Sequence, residues 1–311
     1  MTRRAFVHTA AGAAALAASR PTQDDISLAA WSLNRSFFTA HRWKNLDLPR
    51  IAREQFNING LEFVNQFFEN PMMSSLRQLR KNGDTYGAKF VLIMVDDEGD
   101  MSARDKQERL QAAVAHRKWV DIAHYLGCHA IRCNMGGPRQ DWKQDADLIS
   151  RAAESFNNLL EYARGADLNI VIENHGGASS DPDVVVKLMK AVHNPNFGTL
   201  PDFGNVNQGD DYAEVLRRIV PYAKGISVKA SWAPDGTHPR YDLAKMIQIC
   251  QDAGYHGFWG IECSFGRPVF RVGAGQTRPV ETLTHDQIWE NEVKGVQLTK
   301  AVLERTVLKK G

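Results

Sequence analysis

Four cysteines in 311 residues are too few to staple a chain of this length, which excludes a disulfide framework. Cys133 and Cys263 fall in apolar, strand-like runs, Cys250 in a helical run and Cys128 at a helix end, so buried thiols are expected. After the first twenty residues no run of about 18 apolar residues occurs, which excludes a membrane-spanning helix there. Excess charge is also missing. The formal net charge is +2, and loss of residues 1–18 removes Arg3 and Arg4 and no acid, leaving a neutral chain. A neutral chain lacks the basic surface that a nucleic-acid partner needs. There is no P-loop, no nucleophile elbow with Ser, His and Asp in triad order, and no low-complexity stretch beyond the N-terminus.

The N-terminus itself, "MTRRAFVHTAAGAAALAASR", has a twin arginine (Arg3-Arg4), then Phe6, an alanine-rich apolar stretch and small residues near Ala17–Ser19. Charge, apolar run and cleavage-type residues come in the order of a twin-arginine export signal. Residues 1–20 are therefore expected to direct export to the periplasm or beyond and to take no part in the fold.

From Ile26 onward, strand-like and helix-like segments alternate. "ISLAAWSL" is the first strand, followed by a helix over "LDLPRIAREQF" with Asp47 as N-cap and Pro49 in its first turn. "INGLEFVN" is the second strand, and "MMSSLRQLRKNG" a helix closed by Gly83. "AKFVLIMV" is the third strand and the most continuous apolar run. A long helix over about 103–126 follows, then "HAIRCNM" and a helix over 144–166. "NIVIEN" is the fifth strand, with Asp181 capping the helix after it. "FGTLPDF", "GISVKAS" and "GFWGIEC" complete eight strands, each with a helix behind it, and Gly254 closes the seventh-unit helix. Strands that are apolar in runs rather than alternating are covered on both faces, as in a parallel sheet. Eight such units over residues 26–306 predict a single (β/α)₈ barrel. A doubly wound open sheet would carry a glycine-rich phosphate turn after its first strand, and "SLNRSFF" is not one.

In such a barrel, function sits at the C-terminal strand ends, and polar residues gather there. Glu62 ends strand two, Arg132 and Asn134 strand four, Glu173 and His175 strand five. Asp202 and Asn205 follow strand six, Lys229 and Ser231 end strand seven, and Glu262 and Ser264 strand eight. Residues two apart share a strand face, so Arg132 with Asn134, Glu173 with His175 and Lys229 with Ser231 each point one way. Glu173, Asp202 and Glu262 thus converge. Three carboxylates in one poorly hydrated pocket need a positive partner. A divalent metal, Mg²⁺ or Mn²⁺ for an oxygen-rich site, is one choice; Lys229 with Arg132 is the other.

The stretches "VIENHGG", "LPDFGN", "ISVKAS" and "GYHGFWGIECS" occur in the order and spacing of the sugar-phosphate isomerase/epimerase superfamily with the xylose-isomerase-like TIM barrel, which the chain resembles over about residues 26–305. The resemblance implies a metal held by Glu173, Asp202 and Glu262. The family's fourth ligand, a strand-seven histidine two residues before a lysine, is replaced: the chain reads Ser227-Val228-Lys229. A family histidine three residues after the strand-six Asp is Asn205 here. His175 and His238 are the candidate substitutes.

The chemistry implied is proton transfer next to a carbonyl of a sugar or keto-sugar. A weakly acidic C–H needs a close base and a stabilised enediolate oxygen. Glu173 and Glu262 can take and return the proton, with Lys229 or a metal on the oxygen. Glu62, Arg132, Asn134, His175 and Asn205 are candidates for binding the sugar, and Trp31, Phe37 and Trp232 for walling the pocket. Other readings are a lyase on oxidised (keto) glycosides, a metal-dependent phosphodiesterase of the endonuclease-IV type, which needs more histidine than these strand ends offer, and a non-catalytic sugar-binding barrel. The expected partner is a small-molecule sugar, and a homo-oligomer is left open.

Overall fold

The computed structural model describes residues 22–266 and 282–308; the expected export segment, 1–20, lies outside them. The apolar runs form eight parallel strands: β1 Ile26–Ala29, β2 Gly60–Val64, β3 Lys89–Val95, β4 Ala130–Cys133, β5 Asn169–Glu173, β6 Phe197–Leu200, β7 Ile226–Trp232 and β8 Trp259–Phe265. Every residue of β1, β2, β4 and β6 is buried, as strands enclosed on both faces must be. The strands pair in the order β6-β5-β4-β3-β2-β1-β8-β7. The two ends of that row meet through the single parallel bridges Thr199↔Ala223 and Asp202↔Ser227, closing the expected (β/α)₈ barrel. The seam is thin because Pro201 brings an acceptor but no N–H donor. Its carbonyl takes Ser227 N at 2.9 Å, and Phe203 N donates to Ser227 O at 3.2 Å. The seam is also where Asp202 and Ser227 stand.

Helices follow the strands: α1 Asn34–Phe38, α2 Leu48–Ile51, α3 Met73–Tyr86, α4 Lys106–Leu126, α5 Leu148–Ala163, α6 Pro182–Val192, α7 Tyr212–Ile219, α8 Leu243–Asp252 and α9 His285–Leu303. α5 illustrates why they pack on the barrel. It buries Leu148, Ala152, Phe156, Leu159, Leu160 and Ala163, an apolar stripe at helical spacing. Aspartates start several helices by accepting a backbone N–H: Asp105 from Glu108 (2.8 Å), Asp181 from Asp183 (2.9 Å), Asp211 from Glu214 (2.9 Å) and Asp242 from Lys245 (3.0 Å). Each such cap stabilises its helix by about 1 kcal/mol.

Several boundaries differ from those predicted. β1 stops at Ala29, and Ala30–Leu33 turns as a 3₁₀ helix into α1. Asp47 holds the predicted N-cap position of α2, but its side chain accepts from Lys44 N at 3.0 Å in the turn before rather than from α2. α3 runs past Gly83 to Gly87, whose φ of 64° ends it. Gly83 is there for space: a Cβ on it would come within 2.6 Å of the Phe90 ring. α4 and α5 are each shorter than expected, beginning at Lys106 and Leu148. All four cysteines are free and buried. Among the described residues no helix is long and apolar enough to cross a membrane.

Candidate active site

A cavity of about 570 Å³ opens where the strands end. Its lining includes Arg132 and Asn134 from β4 and its loop, Glu173 and His175 from β5 and its loop, and Glu262 from β8. Arg132 is only 2% exposed, and a buried guanidinium needs partners. Its Nη1 donates to Asp96 Oδ1 at 2.6 Å, and its Nε lies 2.9 Å from Glu173 Oε2. The second contact is a charge pair without an aligned hydrogen bond, so Glu173 Oε2 is left unfilled. Asn205 Nδ2 donates to Glu173 Oε1 at 2.7 Å. Asn134 Nδ2 donates to Asp96 Oδ1 at 2.8 Å, completing an Asp96–Arg132–Glu173 row.

The second half of the site is built on the seam. Asp202 Oδ1 accepts from Gly204 N (2.7 Å) and Asn205 N (2.8 Å). Its Oδ2 accepts from Ser227 Oγ (2.9 Å) and Lys229 Nζ (3.1 Å). The same Nζ lies 2.6 Å from Glu262 Oε1. Lys229 and Glu262 are register neighbours on β7 and β8, which fixes that contact. Lys229 reaches Asp202 across Gly204, where a Cβ would stand 2.9 Å from Lys229 Cδ. Asn174, out of phase with Glu173, ties the seam together. Its Nδ2 donates to Asp202 O (2.8 Å) and Asn205 O (2.9 Å), and its Oδ1 accepts from Asp202 N (2.7 Å).

Burial and charge set these groups apart. Burial pushes Asp202 up to about 7 despite Lys229, and burial also raises Glu173 although Arg132 and Lys229 oppose it. For Glu262 burial acts the same way, but the Lys229 ammonium outweighs it and the carboxyl falls below its ordinary value. Lys229 is itself held firmly protonated: the three carboxylates Asp202, Glu262 and Glu173 overcome burial. His175 is lowered to about 4, by burial first and then by Arg132 and Lys229, so it is neutral at ordinary pH.

Glu173, Asp202 and Glu262 each offer an oxygen within 4.8 Å of the others. These are hard oxygen donors of the kind that suits Mg²⁺ or Mn²⁺. Four carboxyl groups, Asp96, Glu173, Asp202 and Glu262, meet two cations, Arg132 and Lys229, and a divalent ion would balance the remainder. The donor set therefore fits a metal, with Ser227 Oγ, 2.9 Å from Asp202, where the family places its histidine. Neither candidate substitute joins the three among the described residues. His175 lines the cavity, while His238 Nδ1 is bonded to Tyr241 O at 3.1 Å and its ring packs on Trp232.

Other expected site residues are placed differently. Glu62 is buried but does not line the cavity. It accepts from Ser27 Oγ at 2.6 Å and sits against Gly260, where a Cβ would meet its carboxyl at 2.3 Å. Trp31 lines the cavity. Phe37 stacks on Phe67 at 4.6 Å, and Trp232 Nε1 donates to Thr299 at 2.9 Å, so both are packing residues. Asp96 and Asn174 were missed by sequence reasoning. Asp96 directly follows the apolar run of β3, and the rule applied to the other strands would have found it. Asn174 gave no signal, because its role depends on the turn at 202–205.

The model of the xylose isomerase-like TIM barrel family matches residues 52–281. The chain belongs to that family. No curated protein matches it in sequence. Among solved structures it is similar to D-psicose 3-epimerase from Clostridium cellulolyticum H10, solved with D-tagatose, at 14% identity and a TM-score of 0.65 over 91% of this chain and 99% of that one. IOLI protein with a bound zinc atom aligns at 13% identity and a TM-score of 0.67 over 92% and 99%. The 3-keto-D-glucoside 4-epimerase YcjR from E. coli aligns at 14% identity and a TM-score of 0.61 over 81% and 96%. At such identities the likeness establishes the fold, and the site must supply the chemistry.

Proposed function

We propose that the protein is an isomerase- or epimerase-type enzyme that moves a proton next to the carbonyl of a sugar or keto-sugar. The observation that carries this reading is the pairing of Glu173 and Glu262 on one cavity in opposite electrostatic settings. Glu262 is held ionised by Lys229 at 2.6 Å. Glu173 is raised by burial, and its Oε2 meets Arg132 as a charge pair without an aligned hydrogen bond. Two carboxyls pushed apart in this way divide the roles of base and acid between them.

In the proposed reaction, the substrate's carbonyl and neighbouring hydroxyl lie against Lys229 and the acid cluster. Glu262 takes the proton from the carbon, and the new enediolate oxygen is stabilised by the Lys229 ammonium, which Asp202 and Glu262 hold in place. Glu173 returns a proton, and the roles exchange in the reverse direction. Return to the opposite face of the same carbon inverts it; return to the neighbouring carbon moves the carbonyl. Arg132 and Asn205 fix the Glu173 carboxyl, and Asn134 and His175 remain for sugar hydroxyls. If a divalent ion is bound, Glu173, Asp202 and Glu262 would hold it, and it would supply Lewis-acid stabilisation of the same oxygens. The similar epimerases named above support a proton-transfer class. We further propose, from Arg3-Arg4 and the apolar stretch behind them, that the enzyme works outside the cytoplasm after twin-arginine export.

Turnover in D₂O with a panel of keto-sugars and keto-glycosides tests the reading. Solvent deuterium at a sugar carbon, with the skeleton intact, supports the isomerase or epimerase. Release of an aglycone supports the lyase instead. Binding without exchange leaves a sugar-binding barrel.

A further inference from the structure

The cavity is larger than the chemistry needs. A hexose occupies roughly 200 Å³ at the density of organic crystals, and a disaccharide roughly 350 Å³; the cavity holds about 570 Å³. Its lining also divides in two. The charged row runs from Asp96 at the end of β3 through Arg132 and Glu173 to Glu262 on β8, whereas Trp31, Gln66 and Asp97 stand on the loops after β1, β2 and β3 and line the same cavity.

These three residues are not idle packing. Trp31 is half-buried, with one side braced by Phe67, edge-on at 5.3 Å, and by Phe38 at 6.1 Å. Phe67 is in turn stacked on Phe37 at 4.6 Å, so the indole is a supported flat wall. Gln66 and Asp97 are exposed and hydrogen-bonded to each other. Asp97 holds a φ of 60°, a left-handed conformation uncommon for a residue with a side chain. The Gln66 amide oxygen and the second Asp97 carboxyl oxygen retain acceptor capacity for hydroxyl donors. An aromatic plane and a pair of amide and carboxyl groups lining one cavity suit a pyranose ring, whose C–H face is apolar and whose edge is hydroxylated.

We propose that Trp31, Gln66 and Asp97 form an outer subsite for a second sugar ring, so that the substrate is a disaccharide or sugar glycoside rather than a free monosaccharide. The inference rests on the reading of the inner cluster as a sugar site. The reacting ring would occupy the Glu173–Glu262 end, and the second ring would lie on the indole with its hydroxyls on Gln66 and Asp97.

Calorimetric titration of the purified protein with matched pairs tests it: glucose against cellobiose and maltose, galactose against lactose, fructose against sucrose. At least one disaccharide is expected to bind tenfold or more tightly than its monosaccharide. Trp31→Ala should erase most of that advantage, and Trp31→Phe, which keeps an aromatic face, should retain part of it. Circular dichroism melts confirm that the variants fold. Absence of any disaccharide preference across all pairs, or an equal loss of both partners of a pair in Trp31→Ala, overturns the subsite. The two readings fail separately. Disaccharide preference without deuterium exchange removes the enzyme and keeps the subsite, while exchange on free monosaccharides alone does the reverse.

Discussion

Glu173 and Glu262 share a cavity and a reaction but not an environment, and substitutions should separate them. Glu173→Gln keeps the amide bond partner for Asn205 and removes the proton carrier. It should lower kcat by about 10²–10⁴-fold with a native circular dichroism spectrum, and a variant with full turnover would exclude Glu173 from proton transfer. Lys229 is bound to both Asp202 and Glu262. Lys229→Met leaves two buried carboxylates without their cation, so it should destabilise by about 3 kcal/mol in urea melts and abolish turnover; unchanged stability would mean that another cation serves them. Glu62 tests burial itself. Its folded pKa of about 8 lies above the ordinary 4.5, so the native state holds the proton more tightly than the unfolded chain. That contribution is full below pH 4.5 and is lost as pH rises through 8. Wild-type stability should therefore fall over this window by on the order of 5 kcal/mol more than that of Glu62→Gln. Parallel pH profiles of the two proteins in urea melts would contradict it.

At the scale of elements, the seam between β6 and β7 is the piece on which the site depends. Only two isolated bridges join these strands, and Asn174 adds three hydrogen bonds across the turn at 202–205. Asn174→Ala should cost about 2 kcal/mol and lower kcat through displacement of Asp202, with the loss of turnover larger than the loss of stability alone explains. A drop in stability with undiminished kcat in the folded fraction would show that the turn is not what positions Asp202. The seam also marks how far sequence reasoning reaches. The strands were legible because enclosed strands need unbroken apolar runs, and the strand-end polar residues were legible from period-two alternation. What escaped were features set by partners distant in the chain. Asp47 turned to the preceding turn instead of its helix, Gly83 made room for Phe90 instead of ending α3, and Glu62 took Ser27 instead of the cavity. Asn205 was assigned to the site from its place just after strand six, but its bond to Glu173 follows from the closure of the ring.

At the scale of the whole molecule, the barrel concentrates acids at one mouth and Arg132 and Lys229 hold them there, while export by the N-terminal twin arginine is our proposal. Replacing Arg3 and Arg4 together by lysine should keep an epitope-tagged protein inside the cytoplasm on cell fractionation; unchanged export would remove the twin-arginine proposal and leave the site untouched. The most direct measurement of the central claim is nuclear magnetic resonance of a keto-sugar or keto-glycoside incubated with wild-type protein and with Glu173→Gln in D₂O. A rearranged product carrying deuterium at one carbon beside the carbonyl is expected with the wild type and no such product with the variant. Equal labelling by both proteins, or an unlabelled product from the wild type, would contradict it.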